Sequence, residues 1–118
     1  MWTELARVRR ELPGPVRVVV LRAEGRAFSA GLDRSLFSGD SADGILTLSA
    51  LPRSEATGRI GAWQQAFDWS SRPDLVSVAA VQGHAIGGGF QLALGADIRI
   101  LAEDALFCLA EPKLGIVP

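Results

Sequence analysis

The segment at residues 81–91, Val-Gln-Gly-His-Ala-Ile-Gly-Gly-Gly-Phe-Gln, is the part of the sequence most suited to chemistry. An apolar run that predicts a buried strand leads into it, and a helix is predicted where the glycines end. Glycine lets a backbone approach a ligand closely, and the first amides of a helix lack intrahelical acceptors. Such a turn can bind a phosphate or a developing oxyanion, or it can simply pack a helix on a strand.

The spacing of these glycines argues against two common phosphate-binding motifs. A P-loop needs a lysine followed by serine or threonine after its last glycine, where this sequence has Phe90 and Gln91. The dinucleotide fingerprint Gly-x-Gly-x-x-Gly does not match glycines at 83 and 87–89. A nucleotide-binding domain is therefore disfavoured.

A second candidate segment, Arg-Ala-Phe-Ser-Ala-Gly-Leu-Asp at residues 26–33, also follows a predicted buried strand. Taken alone, it has the composition of an ordinary strand-to-helix turn. This segment indicates a specific function only in combination with the glycine-rich segment.

Strands and helices alternate around these two segments. Helices are predicted at 1–12, 32–37, 58–69 and 90–94, and strands at 16–22, 75–81, 97–101 and 106–109. The helix at 58–69 is predicted to bury one face that carries Ile60, Trp63 and Phe67. Residues 82–89 are predicted as a turn, 111–118 as a loop, and 38–57 as a mobile, turn-rich stretch with a short helical turn at 45–51. The alternation predicts an α/β fold with parallel strands, the first two of them mostly buried.

Composition excludes several functional classes. The chain has 118 residues, of which 48% are hydrophobic and 21% charged, as in a globular domain. A formal net charge of −1 gives no basic field for nucleic acid. The apolar runs are far shorter than the roughly 20 residues of a membrane span, and the residues after Met1 do not predict a secretory signal, because no apolar stretch follows a charged start. Cys108 is the single cysteine, which favours a cytoplasmic location.

Together, the two segments resemble those of the enoyl-CoA hydratase/isomerase family, also called the crotonase family. Members of that family carry a Phe-Ser-Ala-Gly-x-Asp segment after one strand and Val-x-Gly-x-x-x-Gly-Gly-Gly before a helix. An Asp-Ile/Leu-Arg strand, a phenylalanine in a short strand, and a glutamate before Leu-Gly-x-x-Pro then follow. Here these are residues 97–99, Phe107, Glu111 and residues 114–118. The resemblance implies a partial crotonase-like spiral of β-β-α turns with parallel strands.

The resemblance also implies a binding site for acyl-CoA thioesters. The backbone amides of Leu32 and Gly88 would hold the thioester oxygen as an oxyanion hole, whose fixed donors oppose the charge that builds on that oxygen. The residues implied to contact the substrate are Ser29, Ala30, Asp33 and Gly87. Asp33 also fits a helix cap or a turn.

The implied acid and base groups are Gln91 and Glu111. Hydratases of the family use two glutamates, and this sequence has a glutamine at the first of these positions. An amide can hold a water molecule but cannot take its proton. A single carboxylate therefore favours double-bond isomerisation over hydration, with Glu111 moving one proton between two carbons. In the alternative interpretation, Glu111 is a solvated loop acid and Gln91 a residue of the helix surface.

Other residues have competing interpretations. His84 fits a packing or hydrogen-bonding role, Arg34 a solvated position or a contact with a CoA phosphate, and Cys108 a buried, inert thiol. Trp63, Phe67 and Trp69 are predicted to lie in the core or to form the wall of an acyl pocket. The spacing of the His, Cys and Asp residues predicts no metal site, and no cofactor is implied beyond the coenzyme A of the substrate.

The match to the family is partial in length. Residues 1–118 are predicted to form an incomplete domain that lacks N-terminal strands and C-terminal helices. The full-length protein is expected to be a homo-oligomer, a trimer or a dimer of trimers. The alternative function is a truncated, weakly active or inactive family member that only binds CoA esters or sister subunits.

Overall fold

The computed structural model describes residues 1–33, 36, 44–115 and 117, without the side chain of Ile45. The helices are α1 (Trp2–Glu11), α2 (Ile45–Ser49), α3 (Arg53–Gln64) and α4 (Gly88–Leu94). The strands are β1 (Val18–Leu21), β2 (Val76–Val81), β3 (His84–Ile86), β4 (Ile98–Leu101) and β5 (Leu106–Cys108). Single 3-10 turns occupy Trp69–Ser71 and Glu111–Leu114.

All the strand pairs in the described residues are parallel. Strands β1, β2 and β4 form one sheet in the order β1-β2-β4, and β3 pairs with β5 in another. Strands β2 and β3 and helix α4 follow one another as a β-β-α turn. The next two strands then pair with the first two, β4 with β2 and β5 with β3, so successive turns stack as in a spiral. The prediction of an α/β fold with parallel strands is confirmed.

The core lies between the inner face of the large sheet and the helices. Ala79 and Val81 of β2 are buried in it, as is Trp69. The Trp69 side chain is 1% exposed, and its indole Nε1 donates a hydrogen bond of 2.8 Å to the Ala66 carbonyl. A large ring with a satisfied N–H group is well suited to fix the position of the chain that precedes β2.

The opposite face of the large sheet is exposed, which corrects the prediction that β1 is mostly buried. Val18 and Val20 are 58% and 56% exposed, and Ile98 and Ile100 of β4 are 50% and 62% exposed. Val78 of β2 lies between Val20 and Ile98 on this face, since it pairs with both of them. β-branched residues suit any pleated surface, so their presence predicts a strand without telling whether both of its faces are covered.

Helix α3 differs from its predicted extent and burial. It begins at Arg53 rather than 58, with Pro52 as its N-cap residue, and it ends at Gln64 rather than 69. None of its residues is buried, and Ile60 is 39% exposed. Phe67 lies beyond the helix and packs on Trp2 with ring centroids 4.7 Å apart. The helical face predicted from Ile60, Trp63 and Phe67 is therefore wrong, because the chain leaves the helix before Phe67.

Two arginines, Arg9 and Arg72, bond helix α1 to residues 68–72. The Arg9 side chain, 11% exposed, donates from Nε to the Asp68 carbonyl at 2.7 Å and contacts the hydroxyl of Ser71. Arg72 in turn donates to the Arg9 carbonyl at 2.6 Å. None of the helices in the described part of the chain is long and apolar enough to span a membrane.

Several smaller predictions can also be compared with the structure. Residues 84–86, predicted as part of a turn, form β3, and residues 111–114, predicted as loop, form a 3-10 turn. The predicted helical turn at 45–51 contains α2. Most of the predicted helix at 32–37, with Arg34, and the turn-rich residues 38–43 lie outside the described residues.

Candidate active site

The glycine-rich segment connects β2 to α4 through the short strand β3. Gly87 lies between β3 and α4 with φ 55° and ψ −124°, a conformation that residues with a Cβ rarely adopt. A Cβ at this position would also lie 3.0 Å from Oε1 of Glu111. Glycine therefore lets the chain turn here while the carboxyl group of Glu111 stays against its backbone.

The segment after β1 is fastened to β3 by backbone hydrogen bonds. The Ser29 amide donates to the His84 carbonyl at 2.8 Å, and the Ile86 amide donates to the Ser29 carbonyl at 3.0 Å. Ser29 also lies against the start of α4, where a Cβ on Gly89 would be only 2.1 Å from the Ser29 Cβ. The two segments singled out in the sequence are therefore in direct contact.

The backbone amides of Leu32 and Gly88 donate no hydrogen bond within the described residues. Gly88 is the first residue of α4, so its N–H has no partner within the helix. Leu32 follows Gly31, whose own amide donates to Oγ of Ser29 at 3.2 Å. The N–H groups of Leu32 and Gly88 are thus available to a ligand oxygen.

A cavity of about 280 Å³ lies where the two segments meet the 3-10 turn of Glu111–Leu114. Its wall consists of residues 30–32, Ile86, Gly87, Ala110, Glu111 and Leu114. Of these lining residues, Glu111 alone is ionisable, so one carboxyl group faces an otherwise apolar surface. An apolar pocket with few polar groups is typical of ligand-binding sites.

Glu111 is buried, with 5% of its surface exposed. Its Oε1 accepts a hydrogen bond of 2.7 Å from Nε2 of Gln91. Its other oxygen, Oε2, is buried and has no hydrogen-bond partner within the described residues. A buried carboxyl oxygen without a partner costs free energy, so such groups in native proteins call for an explanation, often a functional one. This position excludes the interpretation of Glu111 as a solvated loop acid.

The predicted site residues occupy different positions around this cavity. Ala30, Leu32, Gly87 and Glu111 line it, while Gly88 directly follows Gly87 at the start of α4. Gln91 is half-buried and reaches the cavity through its bond to Glu111. The geometry therefore brings the predicted catalytic pair and the two segments with the predicted oxyanion donors together, and their roles stay predictions.

Ser29 and Asp33 serve the local backbone in this structure. The Ser29 hydroxyl accepts from the Gly31 amide, as given above. Asp33 is exposed, and its carbonyl accepts a hydrogen bond of 3.1 Å from the Leu36 amide, as in a turn. Their contact with a substrate stays a prediction.

Several other residues have clear places. Trp69 belongs to the core, which excludes it from a cavity wall, and His84 is exposed on β3 rather than packed. Cys108 is half-buried, and its carbonyl accepts from the Gly87 amide at 2.8 Å. In the part of the chain that the structure describes, no three His, Cys, Asp or Glu side chains lie close enough together to hold a metal ion.

Some residues at or behind the site were not predicted as site residues from the sequence. Gly31, Ile86, Ala110 and Leu114 line the cavity, and all of these except Ala110 stood within quoted motifs. Trp2 lies behind Gly88, where its ring atoms approach within 3.1 Å of the position that a Cβ would take. Trp2 is identified only by the approach of α1 to α4 in the folded structure. In the sequence, its spacing in α1 indicates ordinary helix packing.

Comparison with known proteins agrees with this geometry. The enoyl-CoA hydratase/isomerase family model matches residues 1–118. The chain is 35% identical over 108 residues to a protein of Bacillus subtilis (strain 168) classed as an enoyl-CoA hydratase, covering 92% of this chain and 38% of that protein. It is 38% identical over 105 residues to the carnitinyl-CoA dehydratase of Salmonella enteritidis, covering 87% of this chain and 35% of that protein.

Solved structures give the same relationship. A Thermobifida fusca YX protein classed as an enoyl-CoA hydratase, in complex with acetoacetyl-CoA, superposes with a TM-score of 0.91 at 49% identity. It covers 100% of this chain, which spans 46% of that protein. The chain thus spans less than half the length of these relatives. The match over residues 1–118, together with the shared arrangement of strands, shows that the chain belongs to the enoyl-CoA hydratase/isomerase family.

Proposed function

We propose that this protein is an acyl-CoA enzyme that stabilises a thioester enolate and uses Glu111 as its single acid/base group. One observation carries the proposal: Glu111, a buried carboxyl group with one oxygen unpartnered, is among the residues that line an apolar cavity whose wall includes Leu32 and Gly87. A relative from Thermobifida fusca YX was solved with acetoacetyl-CoA, a thioester of the class proposed as substrate.

The amides of Leu32 and Gly88 are the proposed oxyanion hole. When a proton leaves the α-carbon of a thioester, negative charge develops on the carbonyl oxygen. Two backbone donors that are held in place beforehand can oppose this charge without reorganising, and loss of one such donor typically costs 10²- to 10³-fold in rate. Neither amide donates a hydrogen bond within the described residues, which supports this assignment.

Glu111 is proposed to carry the proton. Its Oε1 accepts a hydrogen bond from Gln91 and its Oε2 has no partner, so Oε2 is the oxygen proposed to exchange the proton. In the isomerisation of a 3-enoyl thioester, Oε2 would remove a proton from C2, the double bond would shift, and the same oxygen would return the proton to C4. Bonds and protons balance with one carboxylate and no water. Gln91 cannot exchange a proton in this way, which is why isomerisation is proposed over hydration.

A second candidate function also has an observation behind it. Hydration distributes its proton transfers well over two carboxyl groups, and Gln91 replaces one of them in this chain. The alternative is therefore a weakly active or inactive family member that binds CoA esters or sister subunits. A homo-oligomeric state, the absence of a cofactor other than the coenzyme A of the substrate, and a cytoplasmic location stay predictions.

The decisive experiment compares the protein with its Glu111→Gln variant. We expect the wild type to isomerise 3-enoyl-CoA faster than it hydrates 2-enoyl-CoA. The variant should lose about 10²- to 10⁴-fold in kcat, the usual contribution of a general base, and still bind a non-reactive CoA ester. Turnover that survives in the variant would contradict the role of Glu111. Binding by the wild type without either reaction would favour the second candidate function.

A further inference from the structure

Gln82 follows β2 directly and reaches across to the segment after β1. Its side-chain Nε2 donates to the carbonyl of Ala23 at 3.0 Å and to the carbonyl of Gly25 at 3.2 Å. The main-chain carbonyl of Gln82 accepts a hydrogen bond of 2.9 Å from the Phe28 amide. One half-buried residue therefore holds the segment at 23–28 from both ends.

This segment leads directly to the cavity. After Phe28, the Ser29 backbone bonds to β3, and residues 30–32 then form part of the cavity wall. In the other direction, Gln82 begins the glycine-rich segment, which reaches Gly87 and Gly88 after β3. Gln82 thus stands at the start of one donor segment and is bonded to the other.

We propose that Gln82 is a positioning residue that sets the distance between the Leu32 and Gly88 amides. The inference rests on the proposed function of these two amides. A neutral side-chain amide suits the role because its two N–H groups can serve two backbone carbonyls, which carry partial negative charge. A carboxylate in the same place would repel both carbonyls. Because oxyanion donors act only in the correct geometry, a small movement of the segment at 23–32 reduces the rate without removing any catalytic group.

The test uses two variants of similar length. Gln82→Met keeps the shape of the side chain but has no donor, whereas Gln82→Lys keeps donors that can reach the same carbonyls. We expect Gln82→Met to lose about 10-fold in kcat for 3-enoyl-CoA with little change in KM, since a displaced donor weakens transition-state binding. Hydrogen exchange of the amides at 28–32 should accelerate in Gln82→Met. Gln82→Lys should recover most of the kcat and of the protection from exchange.

Ser77→Ala is the matched control. Ser77 lies in β2 near its other end, where its hydroxyl bonds to Asp97 rather than to the cavity segments. This variant should lower the Tm and leave both kcat and the exchange of residues 28–32 unchanged. The inference is overturned if Gln82→Met exchanges like the wild type at 28–32, or loses no more kcat than Ser77→Ala. If the wild type shows no turnover with any CoA ester, the proposed function fails, while the exchange experiment still decides whether Gln82 holds the segment.

Discussion

Asp97 and Glu111 each form a hydrogen bond with a residue 20 positions earlier, but they differ in how completely their carboxyl groups are hydrogen-bonded. Asp97 precedes β4, and its Oδ2 accepts from both the amide and the hydroxyl of Ser77, at 2.8 and 2.6 Å. The Asp97 amide returns a hydrogen bond of 3.0 Å to the Ser77 hydroxyl. Glu111 has one hydrogen bond from Gln91, and its second oxygen is buried without any.

The difference in hydrogen bonding indicates that Asp97 stabilises the fold, whereas Glu111 fits the proposed catalytic role. Asp97 is exposed, so water can reach whatever Ser77 leaves unbonded, and its bonds join the starts of two paired strands. Glu111 is removed from water and only one of its two oxygens is bonded, which weakens the folded state and supports the proposed role of the other oxygen. Stability is commonly given up at functional sites in this way. The contrast predicts opposite responses when either pair is altered.

The largest effect is expected for Glu111→Met. The variant should lose about 10²- to 10⁴-fold in kcat because the acid/base group is gone. It should also be more stable than the wild type by about 1–3 kcal/mol, since no buried oxygen is left unbonded and the half-exposed Gln91 can turn to water. Chemical denaturation measures the free energy of unfolding. A less stable variant would show that Glu111 supports the fold rather than burdening it.

Gln91→Met is expected to have an intermediate effect. Glu111 then loses its hydrogen bond while it stays buried, which should lower the free energy of unfolding by about 1–3 kcal/mol. The carboxyl group also loses the contact that orients Oε2, so kcat should fall about 10-fold. Unchanged kinetics together with unchanged stability would contradict the pairing of these two side chains.

Asp97→Asn is expected to act on stability alone: it should lower the free energy of unfolding at neutral pH and weaken the dependence of that free energy on pH. The hydrogen bonds from Ser77 hold the pKa of the Asp97 carboxyl below its ordinary value of 3.8. The unfolded chain therefore takes up this proton first as the pH falls, so the contribution of Asp97 is complete above about pH 4 and is lost through the lower folded-state pKa. Arg72 similarly lowers the pKa of Asp74 to about 2.

Thermal melts at pH values from about 6 to about 2 provide the measurement, because carboxyl groups titrate in this range. The Tm of the wild type should drop more steeply below pH 4 than that of Asp97→Asn, and the variant should keep the wild-type kcat at neutral pH. Parallel melting curves across the whole range would contradict the stabilising role of the Ser77–Asp97 pair.

Local sequence patterns predicted the elements that hold the site. The β-branched runs predicted β1 and β2, and the glycine-rich segment predicted a helix from Phe90, which in the structure begins two residues earlier as α4, at Gly88. They did not predict β3, because its pairing with β5 is a contact between separate parts of the chain, nor the exposure of the outer sheet face. The predicted extent of α3 was wrong because Pro52 starts the helix earlier than the apolar spacing suggested.

Three properties could be predicted from the sequence: the parallel α/β fold, the family, and the residue types available for catalysis. Each depends on local composition or on motifs with fixed spacing. The folded chain was needed to show that Glu111 is buried beside Gln91 with one oxygen unbonded, and that Gln82 bonds the segment at 23–28. Burial and hydrogen-bond partners depend on what other segments bring to a position. Gln91 and Glu111 are 20 positions apart and Gln82 and Ala23 are 59 apart, so these contacts depend on how separate segments pack and not on a local pattern.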